Sequence, residues 1–334
     1  MYVLGVDGGN TKTIALVARL DGTIISWGRS GGGDIYGAAS PQAAVGELSR
    51  AVEAALGRVE IEASALSAAC FSLAGADWPE DITFLQAAMQ QRDYGQNIQV
   101  FNDAMGALRA GSPDGTGIVV ACGTGVAVGA KSADGRFWHS SFWQRTQGAG
   151  DLGRQTLNTI YESELGIVAP TSLTKGVLAH FGQTSVEGLL HLMTAREVTH
   201  PTHNDIAQLS RLLLDEAENG DAVARRIVEE HGQSLGDYAL VAARRVGIEG
   251  APFPLVLTGG VLRHQNRILA DAIIARVRQT SPDIQPLFSR FEPVIGALLL
   301  ALEGASQPTD SKVIDRLLVT MPDADLFVTS QVYS

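Results

Sequence analysis

The chain has 334 residues, more than one ordinary hydrophobic core organises, so two domains or lobes are expected. Its formal charge of −11, from 25 Lys and Arg against 36 Asp and Glu, argues against the basic face that nucleic-acid binding needs and against an anionic membrane partner. The two cysteines, Cys70 and Cys122, lie in apolar runs, and the longest apolar run, Val294 to Leu302, is broken by Gly296 and too short for a bilayer; with no basic leader at the start, a cytoplasmic protein without a disulfide framework is expected.

Short β-type runs alternate with helical patterns, the signature of an α/β protein. Tyr2 to Val6, Ile14 to Arg19 and Thr23 to Gly28 read as strands, with Asp21-Gly22 turning between the last two. A helix follows, capped by Ser40 with Pro41 in its first turn, and Val45, Leu48, Val52, Leu56 and Val59 recur along one face. Ala68 to Leu73 and Ile98 to Phe101 read as buried strands around a helix from Asp81 to Arg92, as crossover units of a parallel sheet require. Leu157 to Val246 is mainly helical, with helices expected over Asp205 to Glu218 and Asp221 to Arg245, the latter through Val223, Ile227, His231, Leu235 and Tyr238. A last strand, Pro254 to Leu257, leads through Thr258-Gly259-Gly260 to a helix beginning near Leu262. The segment from Gln307 to Ser334 reads as a polar and then amphipathic appendage.

The plan of the first strands recurs. Gly8-Gly9-Asn10-Thr11 precedes a strand reaching Asp21-Gly22, and Gly123-Thr124-Gly125 precedes one reaching Asp134-Gly135; Thr11 to Asp21 and Thr124 to Asp134 are both ten residues. Two lobes built on one plan are expected.

Glycines at such turns let backbone N–H groups converge on an anion, and hydroxyl and ammonium groups add donors, so phosphate is the natural guest of Gly8 to Lys12 and of Gly123 to Gly125. Asp7 fits beside phosphate when a Mg²⁺, usually through waters, lies between them. A P-loop and a dinucleotide fingerprint both fail on context, because each Gly-rich turn leads into a strand rather than a helix. Asn102-Asp103 ends a strand and starts a helix. There Asp103 serves equally as a helix cap or as a base accepting a hydroxyl proton during phosphoryl transfer. Asp151 stands among the glycines of Gly148 to Gly153, where a ligand could approach the backbone closely. His200 and His203 have metal-like spacing but no third ligand nearby.

The ordered set "GVDGGNTKT", "FNDA", "ACGTG", "GAGDLG", "LTGGV" and "PVIGALLLAL", from about residue 3 to 303, resembles the BadF/BadG/BcrA/BcrD ATPase family, and most its N-acetylglucosamine kinase branch within the actin, hexokinase and Hsp70 superfamily. That resemblance implies two ribonuclease-H-like, actin-like ATPase lobes with a cleft between them, taken as residues 1–112 with 294–334 and as 113–293 with a helical insertion. It implies a kinase using ATP and Mg²⁺ to phosphorylate a sugar or amino-sugar hydroxyl, and homodimers are common in the family. Gly8, Gly9, Asn10, Thr11, Lys12, Gly123, Thr124 and Gly125 would meet the phosphates, Asp7 the Mg²⁺ shell, and Gly259, Gly260, His264 and Gln265 the adenosine side. Asp103 falls where the catalytic base lies and Asp151 where a carboxylate binds sugar hydroxyls; Asp34, Tyr36, Asn102, Gln144, Arg145, Thr146 and Gly148 complete the substrate side.

The sugar-side segments depart from the family pattern. Ser30-Gly-Gly-Gly-Asp34-Ile-Tyr36 replaces a Ser-Thr-Asn type of contact, and Gly150-Asp151-Leu152-Gly153-Arg154 replaces Gly-Asp-Glu-Gly-Ser. Asp34 could favour a free ammonium, whereas Arg145 or Arg154 could pair with a carboxylate-bearing sugar. The alternative class is an ATPase or a non-catalytic nucleotide or sugar sensor; the iron–sulfur activator version is disfavoured because Cys70 and Cys122 are far apart in sequence, with no closely spaced pair.

Overall fold

The computed structural model describes residues 1–328. Contacts divide the chain into two compact units, Met1–Val119, Gly129–His139 and the chain from Leu287 onward in the first, Val120–Val128 and Ser140–Pro286 in the second.

In the first unit, β1 (Tyr2–Gly8), β2 (Thr13–Arg19) and β3 (Ile24–Ser30) form an antiparallel meander. Gly22 takes φ +88° at the second turn, a conformation only glycine adopts freely. β4 (Leu66–Leu73) and β5 (Asn97–Asn102) join β1 in parallel, through the crossover helices α1 (Pro41–Gly57) and α2 (Pro79–Gln90), in the order β3-β2-β1-β4-β5. Ser40 caps α1 as expected, accepting from the Ala43 N–H at 3.1 Å.

Alternation along β1 sends Leu4 and Val6 to one face, with Leu48, Val52, Phe71 and Leu85, and Val3 to the other, with Leu16 and Cys70. That second face is covered by α10 (Pro293–Gly304), and α11 (Ser311–Thr320) adds Val313 and Leu317 to the same core, as do Leu326 and Phe327. Over residues 307–328 the expected appendage is therefore core, its amphipathic face buried against the sheet, while the rest of that expectation, 329–334, lies outside the described residues. α10 sits so close that a Cβ on Gly5 would lie 2.4 Å from the Leu298 nitrogen.

The second sheet comprises β6 (Gly117–Cys122), β7 (Val126–Lys131), β8 (Phe137–His139), β9 (Pro254–Thr258) and β10 (Gln285–Phe288), in the order β10-β9-β6-β7-β8. Read from its other edge, this is the order of the first sheet with β6 in the place of β1, which bears out the repeat expected from the spacing. Between β8 and β9 the chain is helical: α4 (Ala149–Glu164), α5 (Leu173–His180), α6 (Val186–Thr194), α7 (His203–Glu218) and α8 (Ala222–Val246). After β9 the next helix, α9 (Ile268–Arg278), begins at Ile268 rather than near Leu262. Backbone bonds hold the intervening turns: Val261 N–H donates to Cys122 O at 3.0 Å and Arg263 N–H to Gly259 O at 3.0 Å. The Asn266 side chain accepts from Ile268 N–H at 2.7 Å, which starts the helix there. Two lobes of the ribonuclease-H-like, actin-like class are the fold.

Candidate active site

The first unit gathers carboxylates at the C-terminal end of its parallel strands. α3 (Asp103–Gly111) follows β5 directly, and its cap is Asn102, whose side chain accepts from Ala104 N–H at 3.1 Å. Asp103 is thus released from the capping role. Its carboxyl is pushed up to about 7, first by burial and then by the charges of Asp7 and Asp77, with Asp34 adding to them and the Ala104 N–H opposing. Asp7, near the end of β1, is likewise raised to about 7 by burial, with Lys12 pulling it down and Glu292 pushing it up. Asp77 accepts from the Asn102 amide at 2.8 Å and lies 4.0 Å from His139 Nδ1. Burial lowers the His139 pKa despite that neighbour.

α3 is held firmly. Ser72 Oγ accepts from Gly106 N–H at 2.9 Å and lies 3.2 Å from the carbonyls of Asn102 and Asp103. A Cβ on Gly296 of α10 would stand 1.8 Å from Gly106 O, so the two helices cross backbone on backbone. Buried Arg109 ties α3 to Glu303 of α10 at 2.7 Å.

The Gly8 to Lys12 turn is closed by Gly9 N–H donating to Lys12 O at 2.9 Å, with Asn10 and Thr11 exposed. Lys12 Nζ donates to Phe327 O. Two of the three glycines before Asp34 have a packing reason: a Cβ on Gly32 would lie 2.4 Å from Asn10 O, and one on Gly33 would meet Leu48 and Thr13. Asp34 accepts from Tyr36 N–H at 2.9 Å, and the Tyr36 hydroxyl donates to Asp81 at 3.0 Å.

In the second unit, three predicted segments converge. Gly123 N–H donates to Gly125 O at 2.9 Å, and Gly123 O accepts from Ala149 N–H at 2.8 Å. A Cβ on Gly148 would lie 2.3 to 2.7 Å from the carbonyls of Gly123, Thr124 and Gly125, and one on Gly259, at φ +99°, 2.3 Å from Cys122 O. The close approaches to Gly150 and Gly153 come from His203 and Ile206 of α7, so packing within the protein accounts for those glycines, where a ligand was expected. Asp151 accepts from Gln147 N–H at 3.2 Å and lies 3.9 Å from Arg154. Gln144 is buried and donates to Thr146 O at 2.6 Å, while Arg145 is exposed. His264 uses both ring nitrogens, on Asp215 at 3.0 Å and on Asn266 N–H at 3.2 Å; Gly260 and Gln265 are exposed.

A Mg²⁺ ion fits the donor set of the first unit. Two carboxyls raised toward neutrality by burial, Asp103 also by the charge of Asp7 and Asp7 by that of Glu292, gain from a nearby hard cation. Among the described residues no three His, Cys, Asp or Glu side chains converge to hold an ion unaided, so phosphate oxygens and waters would complete its shell.

A model of the BadF/BadG/BcrA/BcrD ATPase family matches residues 4–301. The chain belongs to that family. This family member is 26% identical over 304 residues to the N-acetylmuramic acid/N-acetylglucosamine kinase of Clostridium acetobutylicum, covering 90% of the chain and 98% of the relative. It is also 26% identical to the N-acetyl-D-glucosamine kinase of Dictyostelium discoideum, with 90% and 97% covered. Among solved structures it is similar to a Chromobacterium violaceum protein assigned as an N-acetylglucosamine kinase, with a TM-score of 0.65, 22% identity and coverage of 90% and 98%. A ROK family glucokinase from Streptomyces griseus, solved with glucose and AMPPNP, follows at a TM-score of 0.59, 20% identity and coverage of 91% and 100%. The resemblance read from the motifs is borne out at the level of family and fold.

Asp77 was missed in the sequence, although it closely follows β4, at the strand end where open α/β sheets bind ligands. His139 gave no local signal at all.

Proposed function

We propose that the protein is an ATP-dependent kinase that phosphorylates a hydroxyl of an amino sugar of the N-acetylglucosamine or N-acetylmuramic acid class. The observation that carries this is Asp103, a carboxyl freed from capping, fixed at the start of α3 and raised to about 7. A base of that pKa is half ionised at neutral pH and matched to hydroxyl deprotonation. The ionised carboxylate takes the proton of the acceptor hydroxyl as that oxygen bonds the γ-phosphorus, and the bond to the β-phosphate oxygen breaks to release ADP. Thr11, Lys12 and Thr124, with the backbone N–H groups of their turns, are the donors we assign to the phosphates. Asp7 would hold Mg²⁺ through water, and Mg²⁺ when bound neutralises charge on the phosphate oxygens.

On the acceptor side we assign Asp151 to sugar hydroxyls and Arg154 to an acidic substituent, because the guanidinium stands beside Asp151 and is half exposed. We take the lobes as 1–112 with 294–334 and as 113–293; the contact division differs in giving 113–119, 129–139 and 287–293 to the first unit.

The test is ADP release with ATP and Mg²⁺ against a panel of N-acetylglucosamine, N-acetylmuramic acid, glucosamine and glucose. Asp103→Ala is expected to abolish turnover while nucleotide binding persists. Near-normal turnover in that variant would remove Asp103 from the role of base, and no ADP from the wild type on any sugar would favour a non-catalytic sensor.

A further inference from the structure

The segment from Trp143 to Asp151 carries Gln144, Arg145, Thr146, Gly148 and Asp151 of the expected acceptor side, and most of it lies outside regular structure. One stripe of α8 holds it at successive points. The Tyr238 hydroxyl accepts from Arg145 N–H at 2.9 Å and donates to Trp143 O at 3.4 Å. Ser234 Oγ shares a hydrogen bond with Thr146 Oγ1. Near the lower end lies His231, only 3% exposed, with Nδ1 3.3 Å from the Gln155 amide and with the Gln147 backbone and the Asp151 carboxylate as its other polar neighbours. Gln155 is one helical turn beyond Asp151 on α4, and Asp151 itself accepts from Gln147 N–H.

Residues 231, 234 and 238 are spaced three and four apart, so they share one face of α8. The same helix is immobilised from another face. A Cβ on Gly232 would lie 2.6 Å from Ala272 Cβ, and one on Gly236 would lie 2.6 Å from Arg276 Cβ, so α8 packs on α9 at close backbone distance. A helix fixed in this way can hold an irregular segment in register, and catalytic geometry tolerates little slack in its supports.

We propose that His231, Ser234 and Tyr238 are positioning residues that set the acceptor affinity by fixing the 143–151 segment. This rests on the sugar-kinase reading of that segment. The three side chains do not take part in phosphoryl transfer; they act through Arg145, Thr146, Gln147 and Asp151. None of the three was singled out from the sequence as a site residue, because at helical spacing His231 and Tyr238 read as part of a core face.

Two measurements on the full chain separate the tether from its consequence. Hydrogen exchange compares the wild type with Tyr238→Phe and with the double variant Ser234→Ala, Tyr238→Phe. Exchange is expected to quicken at 143–147 in both variants and to stay unchanged in the first sheet; unchanged exchange at 143–147 overturns the tether. Steady-state kinetics are then expected to show an acceptor KM about 10-fold higher in the double variant, as the loss of one or two hydrogen bonds implies, with the ATP KM and kcat nearly unchanged. An unmoved acceptor KM, or equal losses in kcat and in the KM for ATP, overturns the positioning role. His231→Gln is expected to keep most of the acceptor affinity that His231→Leu loses, because an amide can still bond Gln155. Glu229→Gln, on an exposed part of α8, is expected to change nothing. If exchange quickens as expected while the wild type phosphorylates no sugar, the sugar-kinase reading falls and the tether alone stands.

Discussion

Asp103→Asn should make the free protein more stable, and by an amount that depends on pH. In the wild type the Asp103 pKa moves from 3.8 to about 7 on folding. Such a group favours the folded state least when it must ionise. The penalty is absent below about pH 4, grows as pH rises toward 7, and is constant above. A tenfold change in proton affinity is worth about 1.4 kcal/mol, so the full displacement corresponds to roughly 4 kcal/mol; water at the open edge of the side chain and shared titration with Asp7 reduce this to ~2 to 3 kcal/mol. Asparagine carries no such penalty. Urea unfolding without nucleotide or metal, at pH 5 and pH 8, is the assay. The variant should exceed the wild type by ~2 kcal/mol more at pH 8 than at pH 5, while losing phosphoryl transfer. A stability difference independent of pH, or one that shrinks as pH rises, would refute the reasoning.

Gly296→Ala should cost about 3 kcal/mol or more, because the new methyl would meet Gly106 O at 1.8 Å and neither helix can yield at a backbone crossing; thermal unfolding measures it. Leu317→Ala should cost ~3 kcal/mol despite lying in the segment that reads as an appendage, since its side chain is fully buried; an unchanged midpoint in urea would return α11 to the status of a tail. Arg154→Ala should raise the KM for N-acetylmuramic acid several-fold and leave that for N-acetylglucosamine nearly unchanged, and equal effects on the two sugars would remove the arginine from recognition of an acidic substituent.

The first sheet was legible because its information is local. Short apolar runs mark β1 and β2, Asp21-Gly22 marks the turn into β3, and Ser40 with Pro41 marks the start of α1. The spacing from Thr11 to Asp21 and from Thr124 to Asp134 carried the duplication, which the two sheet orders display. What the sequence could not show is what distant segments press against. Gly148, Gly150 and Gly153 look like a ligand cradle until the carbonyls of Gly123 to Gly125, the His203 ring and the Ile206 carbonyl are seen in contact with them. The same holds for α11, whose apolar stripe has no meaning without the sheet it covers, and for Asp77, whose relation to Asp103 exists only once β4 and β5 lie side by side.

The core on the α10 face of the first sheet joins Val3, Ile14 and Leu16 to Leu298, Val313, Leu317 and Phe327, residues from opposite ends of the sequence. During synthesis the opening strands leave the ribosome long before the residues that will cover them. The second unit, made of 120–128 and 140–286, has all its parts within that interval. It can close first, while one apolar face of the β1–β3 meander stays exposed until the last helices emerge. That delay is when the nascent chain most needs a chaperone, and a fusion placed after Phe327 would burden the step that ends it.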